Sequence, residues 1–62
     1  MRFTIRFRIH NRWGTGSVYS LRDLCVSVVD RYSLSERDLC QIVTLTIGET
    51  FSNENLLVKR ID

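Results

Sequence analysis

Four arginines share one side of the first segment of this chain. In the opening stretch RFTIRFRIHNRW, the even positions from 2 to 12 hold no acidic residue. They are Arg2, Thr4, Arg6, Arg8, His10 and Arg12. A guanidinium is a planar, permanently charged fork that holds a carboxylate or a phosphate through two hydrogen bonds. The chemistry that this spacing offers is therefore the binding of an anionic group.

A tryptophan and a glycine-rich stretch follow this row of cations. Trp13 precedes Gly14-Thr15-Gly16. A tryptophan beside arginines can anchor an interface with a partner, or it can pack over the end of the sheet as part of the core. The two glycines lack the Gly-Lys-Ser/Thr of a phosphate-binding loop, which favours a simple connection. The sequence thus predicts these partner-binding residues: Arg2, Arg6, Arg8, His10, Arg12 and Trp13.

The remaining reactive side chains do not match a catalytic or metal-binding pattern. Cys25, Cys40 and His10 are one ligand fewer than a closed zinc site uses, and none are closely spaced. Cys25 falls on an apolar helical stripe, so we expect it to be buried across the sheet from His10. No two carboxylates have a spacing suited to acid–base work. We therefore predict a protein that is not an enzyme and that uses no cofactor and no metal.

The first half of the chain predicts a strand and then a helix. Strict alternation over residues 2–10 indicates a strand with Phe3, Ile5, Phe7 and Ile9 facing a core. Residues 16–19 are a candidate second strand that would pair back as a hairpin. Ser20 can cap a helix over about 20–32, whose apolar residues recur at helical spacing.

The second half predicts two more strands. The stretch 35–38 repeats the helix-start pattern and leaves open a helical turn over 36–41. The β-branched run over 42–47 favours a strand, with Val43, Leu45 and Ile47 in the core and Gly48 as a bulge. Turn residues at 52–55 then lead into a last strand over 56–61.

Together these elements predict a single small α+β domain over residues 1–62. Its order is β-α-β-β, with one amphipathic helix packed on one face of the sheet. The sheet has three strands, or four if residues 16–19 join it. A right-handed crossover would make the first two strands parallel, and the last strand can then lie between them, antiparallel to both.

Length and composition limit the classes of protein to which the chain can belong. Sixty-two residues make one domain, and 44% hydrophobic with 26% charged residues is typical of a globular protein. No apolar stretch is long enough to span a membrane, and no uninterrupted apolar region follows the early arginines as in a signal peptide. We therefore expect a cytoplasmic protein with reduced thiols and no membrane partner.

Charge is distributed unevenly along the chain. Residues 1–22 carry five arginines and no acid, whereas residues 23–54 carry six acids against two arginines. Two neighbouring arginines on one face of a strand repel by roughly 0.6 kcal/mol in water, so the row calls for an explanation. Two structural explanations are protection of an edge strand against aggregation and pairing with the chain's own acids, such as Glu49 and Asp62.

The functional explanation is an acidic partner. An acidic protein surface fits best, bound through the face and the edge of the first strand, and predicts a non-catalytic inhibitor or regulator of another protein or complex. Small phage and mobile-element proteins that inhibit host enzymes have this general build. The alternative is a small nucleic-acid-binding module that uses the same basic strand, although the acidic middle of the chain opposes it. A homodimer is also left open.

Overall fold

The computed structural model describes all 62 residues and shows an α+β fold, an antiparallel five-stranded sheet with two helices on one face. The strands are β1 (Arg2–Ile9), β2 (Arg12–Trp13), β3 (Ser17–Ser20), β4 (Thr50–Ser52) and β5 (Leu56–Arg60). Helix α1 runs over residues 21–31 and helix α2 over Glu36–Val43. The α+β class is confirmed, with one helix and one or two strands more than the sequence predicted.

Strand β1 lies in the middle of the sheet. One side of β1 pairs with β5, and the other side pairs with β3 and then β2. The pairing of residues 16–19 back onto the first strand is therefore confirmed at β3. Strand β5 lies between β1 and β4 and is antiparallel to both, so β4 takes the place that the sequence assigned to a strand over 42–47. The expectation of docking through the edge of β1 is wrong, because neighbouring strands occupy both sides of its backbone.

The buried face of β1 ends before the strand does. Phe3 and Ile5 have no exposed surface, but Ile9, predicted to be in the core, is 60% exposed. The chain reverses at His10 and Asn11, whose φ angles are 52° and 62°, as a two-residue hairpin loop with two positive φ values requires. This end of the hairpin extends past the core, so Ile9 has little to pack against.

Helix α1 begins where the sequence predicted. The Asp23 backbone N–H donates to the Ser20 side-chain oxygen at 3.1 Å, which satisfies one of the free N–H groups of the first turn. Leu24 and Val28 point into the core. Cys25, predicted to be buried, is exposed. The segment Leu24–Val28 forms a wider π-helical turn. Leu24 and Val28 lie on the side of this turn that faces the core, and Cys25 lies on the solvent side.

Helix α2 replaces part of a strand expected from the sequence. A reciprocal capping box joins Ser35 and Asp38, with N···O distances of 3.1 and 3.4 Å, and the helix continues to Val43. The buried Ile42 belongs to the inner side of this helix. Its start signal and its apolar contact with the core outweigh the β-propensity of the residues that follow.

The predicted strand over 42–47 is therefore wrong, and none of Val43, Leu45 and Ile47 belongs to the buried core. Ile47 is 67% exposed, and Gly48 has a φ of 91° in the turn before β4 rather than in a bulge. The predicted turn at 52–55 is confirmed. The Asn53 side-chain oxygen accepts from the backbone N–H groups of Asn55 and Leu56 at 2.8 and 3.0 Å.

The core lies between one face of the sheet and the two helices. Its buried side chains are all apolar. They are Phe3, Ile5, Leu24, Val28, Leu34, Ile42, Leu56 and Val58. Both helices pack on the face of β1 that carries Phe3 and Ile5, which leaves the opposite face of the sheet without a covering element.

Candidate functional site: the open face of the sheet

The uncovered side of the sheet is called the open face here, and strand register defines its residues. Residues directly opposite each other on paired strands project from the same face. Thr4 is opposite both Val18 and Lys59, and Arg6 is opposite Leu57. The open face comprises Arg2, Thr4, Arg6, Arg8, Trp13, Val18, Ser20, Thr50, Ser52, Leu57 and Lys59. It carries four cationic side chains and no carboxylate.

Arg2 is neutralised by the chain itself. Its Nη2 and Nε atoms lie 2.6 and 2.7 Å from Oδ2 of Asp62, and the N-terminal ammonium lies 3.8 Å from Oδ1 of the same carboxylate. The hydrogen bond from Arg2 lowers the pKa of Asp62, and the same bond raises the pKa of Arg2. Arg2 is thus the arginine of this face that is least available to a partner.

Arg6 is held in place without losing its charge. Its Nε donates to the carbonyl oxygen of Gly14 at 2.8 Å, where the Gly-Thr-Gly segment separates β2 from β3. A Cβ atom on Gly16 would lie 3.4 Å from Arg6 Cγ, so this segment packs closely against the side chain. The two ion pairs of the structure both involve Asp62. Arg6 is exposed, and no carboxylate of the chain pairs with its guanidinium.

Arg8 lies at the end of the sheet where two turns meet. Its backbone N–H donates to the Asn55 carbonyl at 2.8 Å. Arg8, His10, Asn11, Glu54 and Asn55 line a shallow cleft of about 420 Å³. Glu54 shares this cleft but forms no ion pair with Arg8. The predicted His10 site thus belongs to the cleft rather than to the row of arginines.

Arg12 does not belong to the open face, in contrast to the sequence prediction. Arg12 is opposite Ile9, whereas Trp13 is opposite Arg8. After the two-residue turn at His10 and Asn11, odd-numbered residues lie on the face that even-numbered residues occupy in β1. A reading of the segment as one continuous strand does not predict this exchange of faces. Trp13 is 39% exposed and joins the open face beside Arg8.

Six residues of the open face were not predicted from the sequence, and three of them offer charge or apolar surface to a partner. Lys59 adds a cation opposite Thr4, Val18 is 58% exposed, and Leu57 is half-buried opposite Arg6. The alternation of residues 56–60 contains the signal, because burial of Leu56 and Val58 directs Leu57 and Lys59 to the other face. Which of the two faces is buried depends on the register with β1.

The remaining reactive groups do not add a second site. Cys25 and Cys40 are exposed free thiols on the two helices. No three histidine, cysteine, aspartate or glutamate side chains are arranged to hold a metal ion. Neither helix has the length and apolar character needed to cross a membrane.

Comparison of the chain with protein-family models, with curated proteins and with solved structures gave no match.

Proposed function

We propose that this protein is a non-catalytic binding protein that inhibits or regulates another protein or complex. Its open face docks on an acidic surface of that partner. The observation that supports the proposal is the combination of Arg6, Arg8 and Lys59, none of which has a carboxylate partner in the chain, on a face that no helix covers.

The position of β1 removes one structural reason for its arginines. Charges protect an exposed sheet edge from pairing with other chains, but β1 is central and the edges are formed by β2, β3 and β4. The longest of these edge strands, β3, has the uncharged sequence SVYS. Because Arg6 and Arg8 repel each other by roughly 0.6 kcal/mol in water, without contributing to the core, an external anion is the favoured explanation.

The apolar residues among the cations favour a protein as that partner. Val18, Leu57 and Trp13 offer surface that a protein can exclude from water, and tryptophan and arginine are enriched at the centres of protein interfaces. A single-stranded nucleic acid needs aromatic rings on which its bases stack. Phe3 and Phe7 lie on the covered face, so Trp13 is the one ring that the open face supplies.

The partner is best identified through the open face itself. A photo-reactive residue at Val18 would link covalently to the protein that covers β3, and mass spectrometry would identify it. The purified partner would then be titrated with the wild-type protein and with Arg6→Glu/Lys59→Glu. We expect the double variant to lose at least about 100-fold in affinity, equivalent to about 2.8 kcal/mol.

A matched control separates this face from net charge. Arg22→Glu/Arg37→Glu makes the same change in charge on the two helices, where both arginines are exposed, and should change affinity less than about threefold. If loss of the Arg6 bond to Gly14 unfolds the double variant, the single variant Lys59→Glu replaces it, and Arg22→Glu is then the control. Equal losses in the face and helix variants would contradict the proposal.

The nucleic-acid alternative makes a different prediction. A protein that contacts several phosphates loses affinity steeply between about 50 and 200 mM salt. Tight, salt-sensitive binding to random duplex or single-stranded DNA or RNA, abolished by Arg6→Glu/Lys59→Glu, would replace the protein partner by nucleic acid.

A further inference from the structure

We infer that the cleft between the β1–β2 turn and the β4–β5 turn binds an α-carboxylate that has a neighbouring N–H group. A peptide C-terminus and a free amino acid both present this chemistry. The inference goes beyond the proposed function and shares one residue with it, because Arg8 belongs to both the cleft and the open face.

The backbone beneath the cleft is fixed before any ligand arrives. The Arg8 N–H bond to the Asn55 carbonyl, at 2.8 Å, joins the two turns. The Asn53 side chain holds the second turn through the N–H groups of Asn55 and Leu56. His10 and Asn11 are held at positive φ in a two-residue hairpin loop. A site on such a frame is preformed, which reduces the ordering cost of binding.

The lining of the cleft selects a ligand with both acceptors and a donor. None of the five lining residues is apolar, whereas binding pockets for drug-like molecules are mostly apolar. Arg8 and the amides of Asn11 and Asn55 supply N–H donors, and the carboxylate of Glu54 supplies acceptors only. Arg8 can hold a carboxylate through two hydrogen bonds, and Glu54 can then accept from an N–H beside it.

The single acidic group in the cleft argues against a simple anion. Phosphate would place its negative charge near Glu54. Only a protonated phosphate oxygen could donate a hydrogen bond to the Glu54 side chain. A carboxylate with an adjacent N–H satisfies Arg8 and Glu54 together. The volume, about 420 Å³, is near the small end of the range for ligand sites, and it suits a terminal residue better than a nucleotide.

The experiment uses N-acetylglycine as the probe for a chain terminus. Titration of the full-length ¹⁵N-labelled protein should shift the backbone amide signals of Arg8, Asn11 and Asn55 and saturate at millimolar concentrations. N-acetylglycinamide, which lacks the carboxylate, should give no saturable shift. Acetate and phosphate, which lack the N–H, should bind at least fivefold more weakly. Glycine separates the two sources, since tighter binding than N-acetylglycine assigns the site to free amino acids and weaker binding assigns it to chain termini.

Charge-neutralising variants test each half of the lining. Arg8→Gln should weaken N-acetylglycine at least tenfold, with Arg22→Gln on α1 as its control. Glu54→Gln replaces a charged acceptor by a neutral one and should weaken the preference for N-acetylglycine over acetate, with Glu36→Gln on α2 as its control. Binding of acetate or phosphate as tight as that of N-acetylglycine, or no response to Arg8→Gln, would overturn the inference.

Failure of the cleft and failure of the open face can be told apart. Arg6→Glu/Lys59→Glu changes the open face outside the cleft, and Glu54→Gln changes the cleft outside the open face. If the partner is lost with the first variant while N-acetylglycine never binds the wild type, only the inference about the cleft is wrong. If N-acetylglycine binds but the partner is unaffected by the first variant, the cleft stands and the proposed docking face is wrong.

Discussion

The two faces of β1 differ in how much of their chemistry the chain itself uses. On one face, Phe3 and Ile5 are completely buried against the helices. On the other face, Arg6 gives one of its five N–H groups to Gly14, and Arg8 forms no side-chain hydrogen bond or ion pair within the chain. Folding therefore accounts for the buried odd positions Phe3 and Ile5, and among the even positions it uses the charge of Arg2 but not the charges of Arg6 and Arg8.

The largest difference between the two faces should appear when one side chain is truncated on each. Ile5→Ala leaves a cavity in the core and should cost about 2–5 kcal/mol, which is comparable to the whole stability of a domain this small. Thr4→Ala, the adjacent residue on the open face, should cost less than about 1 kcal/mol. Urea unfolding measures both, and comparable losses would contradict the division of β1 into two faces.

A smaller difference is expected between two neighbouring cations of β5. Arg60, half-buried, donates from Nη1 to the Leu45 carbonyl at 2.8 Å and from Nε to the Asp62 carbonyl at 2.9 Å. Arg60→Met should cost about 1–3 kcal/mol, because the Leu45 carbonyl loses its charged donor. Lys59→Met on the open face should change stability by no more than about 0.5 kcal/mol. Thermal unfolding distinguishes them, and an equal decrease in Tm would show that Lys59 also stabilises the fold.

The pH dependence should arise from the two carboxylates that the fold already uses. Hydrogen bonds from the Thr46 side chain and backbone lower the pKa of Glu49 from its ordinary 4.5, and the bond from Arg2 lowers the pKa of Asp62 from 3.8. Each carboxylate therefore stabilises the fold at neutral pH. That stability is lost as the pH falls through the ordinary value towards the lowered one.

Denaturant midpoints between pH 7 and pH 2 test this expectation. Glu49→Gln and Asp62→Asn should each flatten the acid side of the profile. A profile whose acid side is unchanged by both substitutions would contradict this account.

The smallest effect is expected for Arg8, whose side chain the fold does not use. Arg8→Gln should change the free energy of unfolding by no more than about 0.5 kcal/mol. At low salt the change should be a slight gain in stability, since it removes the repulsion from Arg6, and it should vanish above about 0.5 M salt as charges are screened. A clear loss of stability would reveal an internal role for Arg8.

Local patterns in the sequence predicted several elements correctly, because nearby residues determine them. The alternation around Phe3 and Ile5 depends only on the period of a strand. The caps at Ser20 and Ser35 and the turn at Asn53 depend on hydrogen bonds within three residues. Each of these features can be read without knowing the rest of the fold.

The sequence predictions fail where distant contacts determine the structure, or where a turn changes which face the odd and even positions of a strand occupy. Residues 42–47 have high β-propensity, but the capping box at Ser35 and the burial of Ile42 extend a helix into them. Arg12 changed faces because a two-residue turn intervenes. The face on which Lys59 lies follows from the register of β5 against β1, which no local pattern contains.

The most direct test is to observe which face of the protein its partner covers. Cross-saturation NMR transfers magnetisation from an unlabelled partner, identified by cross-linking, to labelled residues of this protein that it touches. We expect attenuation at Thr4, Val18 and Leu57 on the open face, and none at Val26, which is 67% exposed on α1. Attenuation centred on Val26 and the outer surfaces of the helices would show that the arginine-bearing face is not the binding surface.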